Sequence, residues 1–374
     1  MNELLKDVLN ERAEAAERPH LDLEAIVATG DKRIRRHRIT GAVASTAAVV
    51  TIAVTAATVI DTDQVSQPDG IRPAQPAGAF EQRTTTYSTG SVIHYGDQQI
   101  DVAPHSLASF VQTDDGFVFT DSDGTVFTAD GSSVEKIGAT DQPYGTMLAA
   151  GDDGSYVTWM DTDASAFKVY DMTARREVAS VPQPPQPPHA GEFDLLAVLA
   201  LDGSTAYWHT ADGVVSYDIE AGQSTVVKPG ASTLWLADVA DGVLARRAFL
   251  PGLGITVSAD PDAKGPTVPG YNHATLSPDA GYVATDPQDS EQVFVAANGR
   301  EVTPVAEGYS FTAVVQWIDN DSYVALGIPR GNSEDEPFDL LTCSISAGSC
   351  SPDRESVGVL GKVQLPVGAD LTDG

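Results

Sequence analysis

The stretch Met147–Val181, MLAAGDDGSYVTWMDTDASAFKVYDMTARREVASV, decides the fold. It breaks into four short runs, Met147–Gly151, Tyr156–Thr162, Ala166–Met172 and Glu177–Val181, rich in β-branched, aromatic and small apolar residues. Runs of that length, bounded by Asp, Gly, Ser and Thr, are strands of a tight antiparallel meander and are too short for helices. The first break contains Asp-Gly, the pair that suits a two-residue hairpin because a type I′ turn needs positive φ at both central residues.

Working outward, the same unit recurs. Asp-Gly pairs fall at 115–116, 123–124, 130–131, 153–154, 202–203, 212–213 and 241–242. The second strand of each unit opens on a shared landmark: Gly116-Phe-Val-Phe, Ser155-Tyr-Val-Thr, Ser204-Thr-Ala-Tyr, Gly242-Val-Leu-Ala, Gly281-Tyr-Val-Ala and Ser322-Tyr-Val-Ala, spaced by 39, 49, 38, 39 and 41 residues. The long interval holds the insert Pro182-Gln-Pro-Pro-Gln-Pro-Pro188. A period of roughly 40–45 residues with four strands per unit is the pattern of a β-propeller. Six complete units fit between about Ser109 and Glu355. Ser91–Gly96 and Gln99–Val102 in front, with one or two strands from Val357–Pro366 behind, supply a composite last blade that leaves no open edge. The expectation is an all-β propeller of seven blades over residues 87–366, with six as the alternative.

Leu276-Ser-Pro-Asp-Ala-Gly-Tyr-Val-Ala284 resembles the strand entry of TolB-like and WD-repeat-like bacterial propellers, and Lys168-Val-Tyr-Asp-Met172 and Val215-Ser-Tyr-Asp-Ile-Glu-Ala-Gly222 resemble their third strand and following turn. The resemblance spans roughly residues 108–355, lacks the Gly-His and Trp-Asp pairs of true WD repeats, and implies fold more than function.

The N-terminal part reads differently. Ile39–Ile60, ITGAVASTAAVVTIAVTAATVI, holds 22 residues and no charge. As a helix it would span about 33 Å against a hydrocarbon core of about 30 Å. Lys32, Arg33, Arg35, Arg36 and Arg38 precede it, whereas Asp61, Asp63 and Asp69 come before the first basic residue after it, Arg72. By the positive-inside rule the segment is a single transmembrane anchor in the lipid bilayer, with a short helical cytoplasmic segment at 1–38 and an extracytoplasmic C-terminal domain. The competing reading, a cleaved signal peptide with Thr55-Ala56-Ala57 at its end, has against it a long charged leader and an apolar segment longer than about 15 residues. Residues 61–86 read as a linker with Pro68, Pro73 and Pro76, and 367–374 as a tail.

The chain carries 22 basic and 53 acidic residues, a net charge of −31, and residues 1–60 contain eight of each sign. The whole excess therefore lies beyond the anchor, which argues against nucleic acid as a partner. The pairs Asp121/Asp123, Asp161/Asp163 and Asp286/Asp289 invite a calcium reading, yet none continues into a loop with a terminal Glu. Turn formation explains them, and no metal ligand is nominated. No nucleophile elbow, paired zinc-binding histidines, phosphate loop or dinucleotide fingerprint is present, so no catalytic residue and no cofactor is nominated either. Trp159, Trp208, Trp235 and Trp317 fall on predicted strands as blade-to-blade core, and His94 and His209 read as structural. Cys343 and Cys350 flank a predicted hairpin turn on the oxidising side, and a disulfide is favoured over free thiols or metal. The functional expectation is a membrane-anchored binding or scaffolding module for a protein or envelope ligand. The alternatives are a propeller hydrolase or lyase, and transmembrane signalling through residues 1–38.

Overall fold

The computed structural model describes residues 78–140, 148–151, 154–184, 196–247, 254–270, 273–286, 290–333 and 335–366. The expected cytoplasmic segment, transmembrane helix and tail lie outside these residues. Strands are β1 (Thr86–Thr89), β2 (Val92–Tyr95), β3 (Gln98–Asp101), β4 (Leu107–Thr113), β5 (Gly116–Asp121), β6 (Thr125–Ala129), β7 (Val134–Ala139), β8 (Leu148–Ala150), β9 (Tyr156–Asp161), β10 (Ala166–Asp171) and β11 (Arg176–Pro182). They continue with β12 (Ala197–Asp202), β13 (Thr205–Thr210), β14 (Gly213–Asp218), β15 (Gln223–Pro229), β16 (Leu236–Ala240), β17 (Val243–Arg247), β18 (Ile255–Ser258) and β19 (Thr267–Val268). The last are β20 (Ala274–Leu276), β21 (Tyr282–Thr285), β22 (Gln292–Val295), β23 (Tyr309–Trp317), β24 (Ser322–Pro329), β25 (Phe338–Ser344), β26 (Ser349–Gly358) and β27 (Val363–Gln364).

These strands form seven antiparallel sheets. Blades two to five are the meanders β4–β7, β8–β11, β12–β15 and β16–β19; blade six is β20–β22 and blade seven β23–β26. Blade one has the order β27-β1-β2-β3, so the C-terminal strand pairs with three strands from the other end. The sequence placed two strands in front; the structure adds β1, which begins at the end of the expected linker. First strands of successive blades touch, β27 with β4, β4 with β8, β8 with β12, β12 with β16 and β16 with β20, which makes them the inner ring.

Alternation within strands fills the space between blades. In β5, Phe117 and Phe119 join the cluster shared by blades one and two, while Val118 between them joins the cluster shared by blades two and three. Each of the seven seams has its own buried apolar cluster, including one across the closure, where Val315, Leu326 and Phe338 of blade seven meet Val363 of blade one. This is how successive residues of a period-2 strand serve two neighbours at once.

The Asp-Gly pairs are used in more than one way. Among the described pairs only Asp241–Gly242 has positive φ at both residues, 45° and 70°, as the I′ turn requires. At Asp202–Gly203 the aspartate is the last strand residue, paired with Thr205, and Gly203 opens the turn at φ 52°. At Asp115–Gly116 the glycine is the first strand residue, φ 142°, and a Cβ there would stand 2.4 Å from the Ala129 carbonyl oxygen. The Ser277-Pro-Asp-Ala-Gly281 entry is likewise a folded turn. Ser277 Oγ donates to Asp279 Oδ1 at 3.0 Å and accepts from the Tyr282 amide at 3.0 Å, and Ala280 takes φ 52°.

Among the described residues blade six has no fourth strand of its own. Residues 300–302 start one, with a bridge between Phe294 and Glu301, and the chain then crosses to blade seven. There Val305 pairs in parallel with Ser349, and the Cys350 amide donates to the Val305 carbonyl at 3.0 Å. Cys343 and Cys350 sit directly opposite in the β25–β26 register with Cα atoms 4.0 Å apart, and the disulfide forms.

Candidate functional site

Connections from first to second and from third to fourth strands emerge on one face of the disc, here the turn face; the others emerge on the loop face. On the turn face the acidic residues hold backbone. Asp115 Oδ1 accepts the Gly78 amide at 2.9 Å, and Asp202 accepts the amides of Asp241 and Gly242 at 3.1 and 2.8 Å. Asp319 Oδ1 accepts those of Asp321 and Ser322, both at 2.7 Å. The loop-face pairs nominated and set aside as calcium candidates behave alike where described. Asp121 Oδ1 takes the Asp123 and Thr125 amides at 3.1 and 2.9 Å, and Asp161 Oδ1 that of Ala164 at 2.8 Å. Asp121, Asp161 and Asp319 close their own turns, whereas Asp115 holds Gly78 and Asp202 holds the turn of the next blade.

The residues singled out in the sequence scatter through the ring. Trp159 and Trp208 are buried in seam clusters, and His209 Nε2 lies 2.9 Å from the Ala231 carbonyl oxygen. His94 stacks on Tyr87 with ring centroids 4.4 Å apart. Trp235, expected on a strand, precedes β16 and carries the Arg246 guanidinium 5.8 Å from its ring centroid.

What the sequence did not single out is the segment just before β1. Phe80, inside the expected linker, is only 2% exposed and packs edge-on to Tyr95 and Phe117 at 5.4 and 5.5 Å. Its amide donates to the Asp114 carbonyl at 2.9 Å, and its carbonyl accepts Gln112 Nε2 at 2.9 Å. Gln112 Oε1 in turn accepts Gln316 Nε2 of blade seven at 3.1 Å. Residues 78–85 are therefore a strap packed against blade one and bonded to Gln112 of blade two, which in turn bonds Gln316 of blade seven.

Beside this strap the turn face has a hollow of about 280 Å³, lined by Glu81, Arg83, Pro278, Trp317, Ile318, Asp319 and Asn320. The strap, blade six and blade seven each contribute a wall. Arg83 is positioned by its Nη2 contact with Asp114 Oδ1 at 3.2 Å and by Nη1 donating to the Phe80 carbonyl at 3.3 Å. Asn320 Oδ1 accepts the Asp279 amide at 3.1 Å and ties blade seven to blade six. Trp317 is held edge-on against Tyr323 at 5.3 Å. Pro278, Trp317 and Ile318 contribute apolar surface to the lining, and Glu81 and Asp319 contribute two carboxylates. Such a mixture suits recognition of a side chain with an apolar stem and a polar head. The signal in the sequence was slight: a Phe three residues before an Arg in an otherwise Pro- and Gly-punctuated run.

No family model matches the chain, and no curated protein matches it. Among solved structures, the WD40 repeats of RRP9 are similar at 11% identity and TM-score 0.45, covering 75% of this chain and 86% of that one. The computationally designed Ika8 protein is similar at 16% identity and TM-score 0.46, covering 75% and 91%. Hsv2 of Kluyveromyces lactis is similar at 14% identity and TM-score 0.41, covering 64% and 75%. The seven-bladed assignment rests on the sheets and seams of this chain itself.

Proposed function

We propose that the propeller is a protein-binding module, held at the outer face of a cell membrane by Ile39–Ile60, and that it takes a basic extended segment of a partner at the strap hollow. The hollow carries this reading, because it brings apolar surface of Pro278, Trp317 and Ile318 together with the carboxylates of Glu81 and Asp319. A Lys or Arg side chain would lay its stem on Pro278 and Ile318 and bring its cation to Glu81 and Asp319. The net charge of −31 favours encounter with such a segment.

The test uses the full chain in lipid nanodiscs and two probes, an alternating Lys-Ala hexapeptide and its Glu-Ala counterpart. The Lys peptide binds, more weakly as salt rises, and the double substitution Glu81→Gln with Asp319→Asn weakens it about tenfold, or about 1.4 kcal/mol. Equal binding of both peptides, or no loss in the double variant, overturns the hollow as the site. Protease accessibility of the propeller from outside intact cells tests the topology separately.

A further inference from the structure

The seam between blades six and seven contains a group that an apolar core tolerates poorly as a charge. Glu291, just before β22, is 8% exposed. Its amide donates to the Thr312 carbonyl at 3.0 Å and its Oε2 accepts the Val314 N–H, so one residue of blade six makes two bonds to β23 of blade seven. The strand is bulged at that point, between Val314 and Gln316. The groups facing the carboxyl come from three elements. His273, ahead of β20, has Nε2 3.7 Å from Glu291 Oε1; Asp286, after β21, accepts the His273 amide at 2.9 Å; and Tyr323 of β24 is 3% exposed. Around them the seam is apolar, with Ala284, Val293, Val314, Trp317, Ala325 and Leu341.

Burial pushes the Glu291 carboxyl up to about 8, with the Val314 amide drawing it down and the Asp286 charge pushing it further up. Ionised inside the closed seam, it would be a buried negative charge beside a second carboxylate. Once the Glu291–His273 pair has lost its shared proton, that cost is relieved by letting water in.

We propose that Glu291 is a proton-operated latch: while its carboxyl holds a proton against His273 the seam between blades six and seven is closed over β23, and loss of that proton loosens it. β23 ends at Trp317 in the wall of the hollow, so the latch also governs the shape of that wall.

Linkage fixes the sign. The closed seam keeps the proton up to about pH 8. In an opened seam a carboxyl and an imidazole regain ordinary values of about 4.3 and 6.5. Between about pH 6.5 and 8, opening therefore releases one proton, the opening constant rises roughly tenfold over that interval, and it levels off by about pH 9.

Amide hydrogen exchange on the full-length protein, from about pH 6 to about pH 9.5 and corrected for the intrinsic exchange rate at each pH, reads this directly. Peptides covering β22 and β23 are expected to lose protection roughly tenfold between pH 6.5 and 8 and to level off by about pH 9, while peptides from β5 and β13 stay constant. Glu291→Gln, which keeps an acceptor for the Val314 amide but cannot ionise, abolishes the pH response. In parallel, pH-difference infrared spectra of the unsubstituted protein show a protonated-carboxyl stretch that disappears near pH 8 and is missing from the variant. Flat seam protection across that interval, a pH response that persists in Glu291→Gln, or the lack of a protonated-carboxyl band at pH 6 overturns the latch. If the variant does not fold, exchange and infrared on the unsubstituted chain still decide. No ligand enters either measurement, so failure here is distinct from failure of the peptide-binding test.

Discussion

Two seams of the same ring are sealed by opposite means. Between blades one and two the strap drives Phe80 into a cluster with Ile93, Tyr95, Ile100, Phe110, Phe117 and Phe119, and the polar group buried against it is the neutral amide of Gln112, while Asp114 and Asp115 hold Arg83 and Gly78 nearer the surface. Between blades six and seven the apolar packing is interrupted by Glu291, His273 and Asp286, and the chain after Phe294 is shared by both blades. The first seam flanks blade one, where the two ends of the propeller pair as β27 and β1, and its buried cluster is apolar. The second lies away from that pairing, and there a titratable group is accommodated.

The sharpest way to break that contrast is Phe80→Ala. Truncating a fully buried phenylalanine costs about 3–5 kcal/mol, and no later part of the chain can fill its place. The expectation is a fall of that size in the stability of the propeller, read from the denaturant midpoint by tryptophan fluorescence, with the same loss at pH 6 and pH 8. A loss below about 1 kcal/mol would mean that the strap is an ornament on an already closed ring.

How much of this was legible follows from the same two places. The blade period was readable because each second strand opens with a small residue and then an apolar pair: the landmarks at Gly116, Ser155, Ser204, Gly242, Gly281 and Ser322 fall within one residue of the starts of β5, β9, β13, β17, β21 and β24. The cysteine pairing was readable because a hairpin register is local. Phe80 was not, since a single phenylalanine after three prolines has no periodic partner and its contacts lie far along the chain, as Gln112 and Phe117 do. Glu291 was equally hidden. Nothing local separates it from the acidic residues that close turns, and its burial depends on Val314 arriving from the next blade.

The disulfide reinforces the second seam from outside, because Cys350 is the residue whose amide holds Val305 as the chain crosses from blade six to blade seven. Replacing Cys343 and Cys350 together by Ala is expected to cost about 2–3 kcal/mol, the chain-entropy value for so short a loop. The loss of exchange protection should concentrate in β25, β26 and residues 303–306. A uniform loss over all blades would show that the seams are not independent cooperative units.

The smallest effect belongs to an ordinary seam, and it sets the background against which the other two are measured. Asp130, in the turn between β6 and β7, is 5% exposed, and its Oδ1 accepts the Ser132 amide at 2.8 Å, the Ser132 hydroxyl at 2.7 Å and the Ser133 amide at 2.8 Å. Its other oxygen accepts from Arg175 of blade three. Burial alone would raise this carboxyl, but the Ser132 hydroxyl and amide, the Ser133 amide and Arg175 together bring it down to about 2. A folded value below the ordinary 3.8 means that the contribution is fully present above pH 3.8 and is lost as pH falls through about 2. The Arg175 side chain is about half exposed, at 49%, so screening reduces its share and the Ser132 and Ser133 bonds carry most of a contribution of about 1 kcal/mol. Asp130→Asn should therefore lie below the unsubstituted protein by that amount at pH 6, and the gap should close as both are titrated toward pH 2 in denaturant melts. A gap that stays constant with pH would trace the loss to turn geometry and not to the carboxylate charge. The acid limb would then belong to other groups, while the alkaline limb from Glu291, opposite in sign, remains the one that distinguishes the seam of blades six and seven.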